Sequence, residues 1–367
     1  MEQWKEYKLG DISNMKYGKL PPKQNNGSYP IWSGYRNVGF ATTYNCRKGT
    51  IIVVARGVGG TGDVKISSED CFLTNLSIAV ELDNKICEPL YFYYKYKLSN
   101  LRYLDTGSAQ SQITIDDLKR LSLKLPPLEE QKRITEILSS IDYKIELNRR
   151  INDNLEQQAQ ALFDHYFDSG SIYLEDSIMG CLTDIAVYLN GLAMQKFPAT
   201  DIERSLPVLK IKELGQRKSD DCSDRCSDSI DADYIIDNED IIFSWSGTLM
   251  VDVWCGGKCG LNQHLFKVTP LKNYPRWFVY YWTNRHLKKF KLIAKDKAVT
   301  MGHIRRGDLE NAEVAIPTNL NMLEINARIN PLFQSIIDRR LEITKLENIR
   351  DALLPKLMSG ELTINEI

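Results

Sequence analysis

The chain lacks the sequence features of several large classes of protein. It has no run of about 18 apolar residues that could form a transmembrane helix, and its N-terminus has no signal-peptide character. It has no Walker A loop, and its four histidines are scattered singly, without a metal partner or a nucleophile arrangement. The net charge of −1 excludes indiscriminate coating of nucleic acid but allows DNA binding through local patches. We therefore expect a cytoplasmic protein that catalyses nothing by itself.

The eight cysteines are expected to be free thiols, as is usual for a cytosolic chain. Cys222 and Cys226 are separated by three residues, and so are Cys255 and Cys259. Two such pairs could form a four-thiolate zinc site, although the usual spacing within a pair is about two residues. Reduced structural cysteines are favoured, and a zinc-dependent enzyme stays open as a minor alternative.

What the chain does have is an internal repeat with an offset of about 190 residues. Residues 9–12 correspond to residues 182–185, and the apolar run Ile51–Val54 corresponds to Ile241–Ser244. Further matching pairs keep the offset: 71–76 with 259–264, 90–94 with 276–280, and 117–126 with 308–317. A repeat of this length indicates a duplicated domain rather than a solenoid unit. Short buried strands and one aromatic helix in each copy predict two similar α+β domains.

The segment that follows Pro127, up to residue 167, lacks proline and glycine, and its apolar residues recur at gaps that average 3.5. This spacing is typical of a coiled-coil seam, on which Asn148 and Asn152 would fix the register. The pattern returns near the C-terminus, interrupted by Asn330-Pro331, where the helix either kinks or begins. We predict that the two helices form an antiparallel coiled coil. Two independent helices, each packed on its own domain, are the alternative.

Four segments follow from this pattern: globular domains at 1–125 and 171–317, and helical spacers at 126–170 and 318–367. A helix of about 35 residues spans roughly 50 Å. Readers of paired DNA half-sites need a separation of about one DNA turn, roughly 34–36 Å. A helical spacer of this size can set such a separation, which a flexible linker could not.

Two motifs suggest catalysis but lack the required context. Residues 57–62 have the glycine spacing of a dinucleotide fingerprint, yet a predicted strand follows them instead of the helix that would hold a pyrophosphate. Residues 330–333 read Asn-Pro-Leu-Phe and resemble an amino-methyltransferase motif, but the second proline is missing and the segment is predicted to be helical. Neither motif therefore predicts an active site.

Several motifs together resemble those of the specificity (S, HsdS) subunits of type I restriction-modification systems. Residues 107–113 read Gly-Ser-Ala-Gln-Ser-Gln-Ile, and residues 125–134 read Leu-Pro-Pro-Leu-Glu-Glu-Gln-Lys-Arg-Ile. Residues 353–361 read Leu-Leu-Pro-Lys-Leu-Met-Ser-Gly-Glu. The last two segments are the most specific, and the resemblance extends over essentially the whole chain. In the second half the Gly-Ser-Ala-Gln loop is replaced by residues 296–304, and Leu-Pro-Pro by Ile-Pro-Thr at 316–318.

The resemblance implies two target-recognition domains, each of which reads one half of a bipartite site in double-stranded DNA. It implies that the coiled coil acts as a ruler and docks two modification subunits, which carry S-adenosylmethionine and methylate adenine. Restriction subunits join for cleavage. The chain itself would bind no cofactor and no metal and would be non-catalytic, whereas the whole complex would have adenine-N6 methyltransferase and endonuclease activity. A helical scaffold that assembles partners without reading DNA is the alternative.

Lysine and arginine should supply most of the affinity by contacting phosphates, and base-edge contacts should select the sequence. In the first domain the candidates are Arg56, Lys65, Asn75, Ser108, Gln110 and Gln112. In the second domain they are Trp245, Asn262, Gln263, Lys288, Lys289, Lys295, Lys297, Thr300, His303 and Arg305. Asn75 and Gln263 could instead satisfy backbone groups at strand ends, and Trp245 could belong to the core.

Overall fold

The computed structural model describes residues 4–21, 27–34, 36–57, 60–105, 111–168, 171–202, 204–271, 273–296 and 304–364. The polypeptide divides into two compact units, one formed by Met1–Tyr143 with Asn348–Ile367 and the other by Lys144–Glu347. We call residues 4–125 of the first unit the first lobe, and residues 171–317 of the second unit the second lobe. Each unit also contains a part of each of two long helices.

The first unit begins with the following elements: β1 (Lys5–Lys8), β2 (Ser13–Tyr17), β3 (Tyr29–Ser33), β4 (Arg36–Ala41), β5 (Ile51–Val54), β6 (Val64–Ile66), β7 (Phe72–Leu73), β8 (Ser77–Leu82), α1 (Pro89–Lys97), α2 (Ile115–Lys119) and β9 (Ser122–Leu125). The long helix α3 (Leu128–Phe167) follows, and its residues after Tyr143 belong to the second unit.

The second unit continues with α4 (Ile172–Glu175), β10 (Ile178–Cys181), α5 (Leu182–Ile185), β11 (Ala186–Asn190), β12 (Ser205–Leu209), α6 (Ile211–Gln216), β13 (Arg225–Ser227), β14 (Ile235–Ile236), β15 (Ile241–Ser244), β16 (Met250–Val253), β17 (Cys259–Leu261), β18 (Leu265–Pro270), α7 (Arg276–Asp296), α8 (Arg306–Glu310) and β19 (Glu313–Ile316). The long helix α9 (Asn319–Ser359) closes the chain, and its residues from Asn348 onward belong to the first unit.

The core of the first lobe is an antiparallel sheet in the order β2-β8-β5-β6. Strand β5 is buried along its whole length, as its unbroken apolar run predicts. Ile51 and Val53 share one apolar cluster with Tyr91 and Phe92 of α1, so the aromatic helix covers one face of the sheet. A second sheet, β4-β3-β7, contains a parallel β3–β7 pair, and β1 pairs with β9.

The second lobe repeats the central parts of this arrangement. Its central sheet has the order β11-β18-β15-β16, β12 pairs in parallel with β17, and β10 pairs with β19. Helix α7 covers the sheet through Phe278 and Phe290, which share a cluster with Phe243 of β15. The predicted α+β class with two similar halves is therefore confirmed.

The first strand of each central sheet is followed by a glycine that the packing requires. A Cβ atom added at Gly18 would lie 2.2 Å from the carbonyl oxygen of Thr74, and one at Gly191 would lie 2.2 Å from that of Asn262. Both contacts would be with backbone atoms, which cannot move away by a simple side-chain rotation. The duplicated halves therefore share a close crossing of two chain segments.

Substitution of Gly191 by alanine should destabilise the protein by about 1–3 kcal/mol, because the added methyl group overlaps a carbonyl in a packed lobe. The measurement is the midpoint of urea unfolding. Gly307→Ala is the matched control, since a Cβ atom there has nothing within 4 Å. Equal midpoints for the two variants would contradict the proposed crossing.

The two long helices pair in antiparallel fashion within each unit. In the second unit, Asn148 Nδ2 donates to Glu342 Oε2 at 2.8 Å and Asn152 Nδ2 donates to the Ile336 carbonyl at 3.3 Å. In the first unit, Arg350 donates to Asp142 Oδ1 at 2.8 Å. Ile134 and Leu138 of α3 share a cluster there with the following residues of α9: Leu354, Leu357 and Met358.

Both seam asparagines are buried, with exposed fractions of 0% for Asn148 and 5% for Asn152. The predicted coiled-coil pairing is therefore confirmed within each unit, and the alternative of two unpaired helices is wrong. A start of the second helix at Pro331 is also wrong, because α9 begins at Asn319 and continues through Pro331. Ile329 and Phe333 stay buried on either side of the proline, so apolar packing continues across the missing backbone hydrogen bond.

The compact units cut across both long helices, so the four segment boundaries proposed from the sequence remain a prediction. Among the residues that the structure describes, no helix is both long and apolar enough to cross a membrane.

Candidate nucleic-acid interface

Three chain segments meet at one end of the central sheet in the first lobe. The backbone N–H groups of Ala55 and Arg56 donate to the Leu76 carbonyl at 2.9 and 3.1 Å, and Ile113 N–H donates to the Ala55 carbonyl at 2.9 Å. The segments that follow β5 and β7 and the segment before α2 are therefore joined. We call this arrangement the three-segment junction.

The junction brings together several residues that the sequence had marked as candidates for DNA contact. Arg56 is exposed, and it forms an antiparallel bridge with the partly buried Gln112. Asn75 is also partly buried, and its N–H donates to the Lys19 carbonyl at 3.1 Å. Lys65 lies outside the junction on the edge strand β6, where burial lowers the pKa of its ammonium group. Ser108 and Gln110 lie outside the described residues.

The second lobe builds the same junction with different side chains. Trp245 N–H donates to the His264 carbonyl at 3.4 Å, and Ile304 N–H donates to the Trp245 carbonyl at 3.0 Å. Trp245 thus occupies the position of Ala55, and Ile304 that of Ile113. The repeat in the sequence therefore extends to the backbone hydrogen bonds of the candidate interface.

Trp245 is partly buried, so it belongs neither wholly to the core nor wholly to the surface. Its indole Nε1 donates to Asn190 Oδ1 at 2.9 Å, and its ring centroid lies 5.7 Å from that of Phe266. These contacts hold the ring in one position. Arg305 is exposed beside it, and its backbone N–H donates to Asp308 Oδ2 at 2.8 Å at the start of α8.

Asn262 and Gln263 differ in the freedom of their side chains. Asn262 is only 5% exposed, and its Oδ1 accepts the backbone N–H of His264 at 3.2 Å. It therefore satisfies backbone at the junction, the role that the sequence analysis considered for its neighbour Gln263. Gln263 is partly buried, with Nε2 3.3 Å from His264 Nε2.

Two residues of this interface were missed by the sequence analysis: Asn190 and His264. His264 is exposed at the junction, with Nδ1 3.0 Å from the Ser246 hydroxyl. The match of residues 71–76 with 259–264 aligns His264 with Leu76, whose carbonyl lies at the junction of the first lobe. The contact between Asn190 and Trp245 joins residues 55 positions apart and leaves no local signal.

The basic segment of the second lobe lies on α7. One face of this helix is buried in the lobe core, whereas Lys288, Lys289 and Lys295 are exposed. Within the described ranges, neither Lys288 nor Lys289 has a carboxylate within ion-pair distance. Helix α1 of the first lobe ends at Lys97, so this basic extension belongs to the second lobe alone. Lys297, Thr300 and His303 lie outside the described residues.

Three of the four cysteines proposed for zinc are buried, and they belong to different apolar clusters. Cys226, Cys255 and Cys259 are buried in three different apolar clusters, whereas Cys222 is exposed. Burial raises the pKa of Cys255 to about 11 and that of Cys259 to about 12, so both thiols stay protonated near neutral pH. In the described part of the chain, no group of three or more histidine, cysteine, aspartate or glutamate side chains could hold a metal ion.

Comparison with known proteins gives a consistent set of relatives. The type I restriction modification DNA specificity domain matches residues 1–157 and 179–350. The MjaIX specificity subunit of Methanocaldococcus jannaschii is 26% identical over 99% of this chain and 89% of its own length. The HindI specificity subunit of Haemophilus influenzae is 52% identical over 15% of this chain and 12% of its own length.

The fold has a solved counterpart as well. The S subunit of a type I restriction-modification system from M. genitalium superposes with a TM-score of 0.64 at 18% identity, covering 96% of each chain. At this identity the likeness shows a shared fold alone. Because the domain profile matches two segments that together cover most of the sequence, the chain belongs to the family of type I restriction-modification DNA specificity subunits.

Proposed function

We propose that this chain selects the DNA sequence for a type I restriction-modification complex, with each lobe reading one half of a bipartite double-stranded site. The observation that carries this proposal is the junction built twice with two equivalent backbone hydrogen bonds and with different side chains, such as Ala55 in one lobe and Trp245 in the other. A backbone arrangement that is shared by the two lobes, with side chains that differ, suits the recognition of two half-sites of different sequence.

Phosphate contacts and base contacts would come from different parts of each lobe. In the second lobe, the exposed lysines of α7 would hold the DNA backbone without reading its sequence. In the first lobe, Arg56 and Gln112 would face base edges, because arginine pairs well with guanine and glutamine with adenine. Arg305 would have either role in the second lobe. Lys65, Asn75 and Gln263 remain candidates on the same reasoning.

The paired helices would set the spacing between the half-sites and dock two modification subunits. Those subunits would carry S-adenosylmethionine and methylate adenine, and restriction subunits would join them for cleavage. This chain would hold no cofactor and catalyse no step, so the methyltransferase and endonuclease activities would belong to the complex, in the cytoplasm. The buried Asn148 and Asn152 support the ruler because they fix one register of the two helices.

The direct test is binding of DNA by the chain assembled with its modification subunits. A labelled duplex that carries the site methylated in the host should shift with the complex, and a scrambled duplex of equal length should bind far more weakly at about 0.15 M salt. Equal binding of both duplexes would favour a helical scaffold that does not read DNA.

Replacement of Lys288 and Lys289 by alanine should weaken binding to all sequences alike, because these lysines would contact phosphates only. Removal of two phosphate contacts should also lower the slope of log affinity against log salt by about 2. A salt titration with cognate and scrambled duplexes gives both quantities. Loss of affinity for the cognate duplex alone would show that these lysines read bases.

A further inference from the structure

A cavity of about 760 Å³ lies beside the junction of the second lobe. We call it the Trp245 slot, and its lining includes Tyr188, Asn190, Trp245, Phe266, Arg305 and Arg306. Its volume is within the range of about 300–1,000 Å³ that small-molecule sites occupy. The slot combines aromatic walls with two arginines, a lining that suits a flat ring attached to an anionic group.

Trp245 is fixed in a way that suits stacking. The rings of Phe266 and His264 lie 5.7 and 6.1 Å from its ring, and Asn190 Oδ1 accepts its indole N–H, so these contacts hold the indole in one orientation. The same ring lines the open cavity and is only partly buried. A rigid aromatic ring that lines a cavity is a stacking platform for nucleobases.

The equivalent place in the first lobe is arranged differently. Tyr17 pairs with Ile78 in that sheet as Asn190 pairs with Phe266 in the second, so Tyr17 and Asn190 are equivalent. The Tyr17 hydroxyl accepts the backbone N–H of Ile115 at 3.3 Å. The Tyr17 side chain thus extends from the sheet to the first turn of α2. Ala55 occupies the position equivalent to Trp245.

In the second lobe the shorter side chain of Asn190 contacts Trp245 instead. The contact that Tyr17 makes with α2 therefore has no equivalent between Asn190 and α8. Ile115 in the first turn of α2 corresponds to Arg306 in the first turn of α8. Two changes between the halves, Tyr17 to Asn190 and Ala55 to Trp245, therefore give the second lobe its open aromatic slot.

Two arginines line the slot, beside a helix that also carries Asp308 and Glu310. Arg305 and Arg306 are both exposed, and Arg306 forms a 3.4 Å ion pair with Glu310 of the same surface helix. Such an exposed pair is weak and exchanges readily for a phosphate. The arginines would therefore face the backbone on either side of a base that enters the slot.

We propose that the Trp245 slot takes one unstacked nucleobase of the DNA bound by the second lobe. The base would stack on the indole of Trp245, and Arg305 and Arg306 would hold the adjacent phosphates. Stacking on a fixed aromatic ring offsets the cost of removing the base from the duplex. This inference rests on the proposed DNA reading and adds that the second lobe deforms its half-site.

The test uses the complex of the full chain with its modification subunits and the duplex methylated in the host. Single mismatches are placed in turn at each position of the second half-site, because a mispaired base leaves the duplex more easily. The position of the methylated adenine is excluded from this series, because methyltransferases also extrude their target base. At one other position, a mismatch should strengthen wild-type binding several-fold.

Trp245→Ala should abolish that strengthening and weaken binding of the paired cognate duplex by about 5- to 100-fold. Trp245→Phe should keep most of both effects, because phenylalanine retains a stacking face. Thermal unfolding of the two variants identifies any misfolding, and binding of scrambled DNA should stay unchanged.

The inference is wrong if no mismatch outside the methylated adenine strengthens binding, or if Trp245→Ala binds the cognate duplex as the wild type does. A loss of affinity in Trp245→Ala without a mismatch-sensitive position would place Trp245 against paired DNA. If the wild-type complex does not distinguish cognate from scrambled duplex, the proposed function fails together with the slot.

Discussion

Insertion of seven residues into each long helix should lengthen the spacer that the complex accepts between its two half-sites. A helix rises about 1.5 Å per residue, so seven residues add about 10 Å, which corresponds to about three base pairs at 3.4 Å each. Each half-site should keep its own sequence, because neither lobe is altered. Sequencing of methylated adenines in cells that carry the variant gives both results.

The insertion should lie between Tyr143 and Asn148 in α3 and between Glu342 and Asn348 in α9. These positions preserve the Asn148–Glu342 contact in one unit and the Asp142–Arg350 contact in the other. The inserted heptad must continue the apolar seam so that the helices remain paired. Exchange of the same stretch for another heptad-compatible sequence of equal length is the control. An unchanged spacer in the longer variant would contradict the ruler.

Replacement of Arg340 by alanine should destabilise the protein by about 3–5 kcal/mol, because it breaks a buried ionic network. Arg340 is 7% exposed, and its guanidinium donates to Asp252 Oδ1 at 2.6 Å and to Glu156 Oε1 at 2.7 Å. The three residues tie β16 of the second lobe to both long helices within that unit. Without Arg340, the buried Asp252 keeps Arg217, at 2.7 Å, as its only ionic partner among the residues that the structure describes.

Urea unfolding of Arg340→Ala and of a surface control measures this effect. Arg328→Ala is the control, because the ion pair of Arg328 with Glu324 at 3.6 Å is largely exposed and should be worth less than about 1 kcal/mol. A double variant, Arg340→Met with Asp252→Leu, should recover much of the loss because it removes both buried charges. Equal destabilisation by Arg340→Ala and Arg328→Ala would contradict a structural role for the network.

The repeat and the helical spacing were sufficient to predict the architecture. Matching runs in the same order identify two similar α+β halves, and the burial of β5 follows from four consecutive apolar residues. The seam spacing correctly placed Asn148 and Asn152 between the helices. The spacing could not decide whether the second helix begins at Pro331 or continues through it, because a proline is unfavourable in a helix and the tertiary burial of Ile329 and Phe333 is what carries the helix through it.

Only part of the candidate interface could be predicted from the sequence. Junction residues such as Arg56 and Gln112 could be selected because they lie in loops beside buried strands. The slot could not be predicted, because it depends on a contact between Asn190 and Trp245. The equivalent Tyr17 instead contacts the first turn of α2. Such a contact depends on the three-dimensional pairing of strands, and side-chain spacing along the chain does not encode it.

The central claim is that this chain chooses where the complex acts on DNA, and mapping methylated adenines across the host genome tests it most directly. The map is made by sequencing the host with the gene and after its deletion. We predict a motif of two half-sites at a fixed spacing, methylated in the first strain and unmethylated in the second. Identical methylation in both strains, or a gene-dependent motif without a fixed gap, would contradict the account.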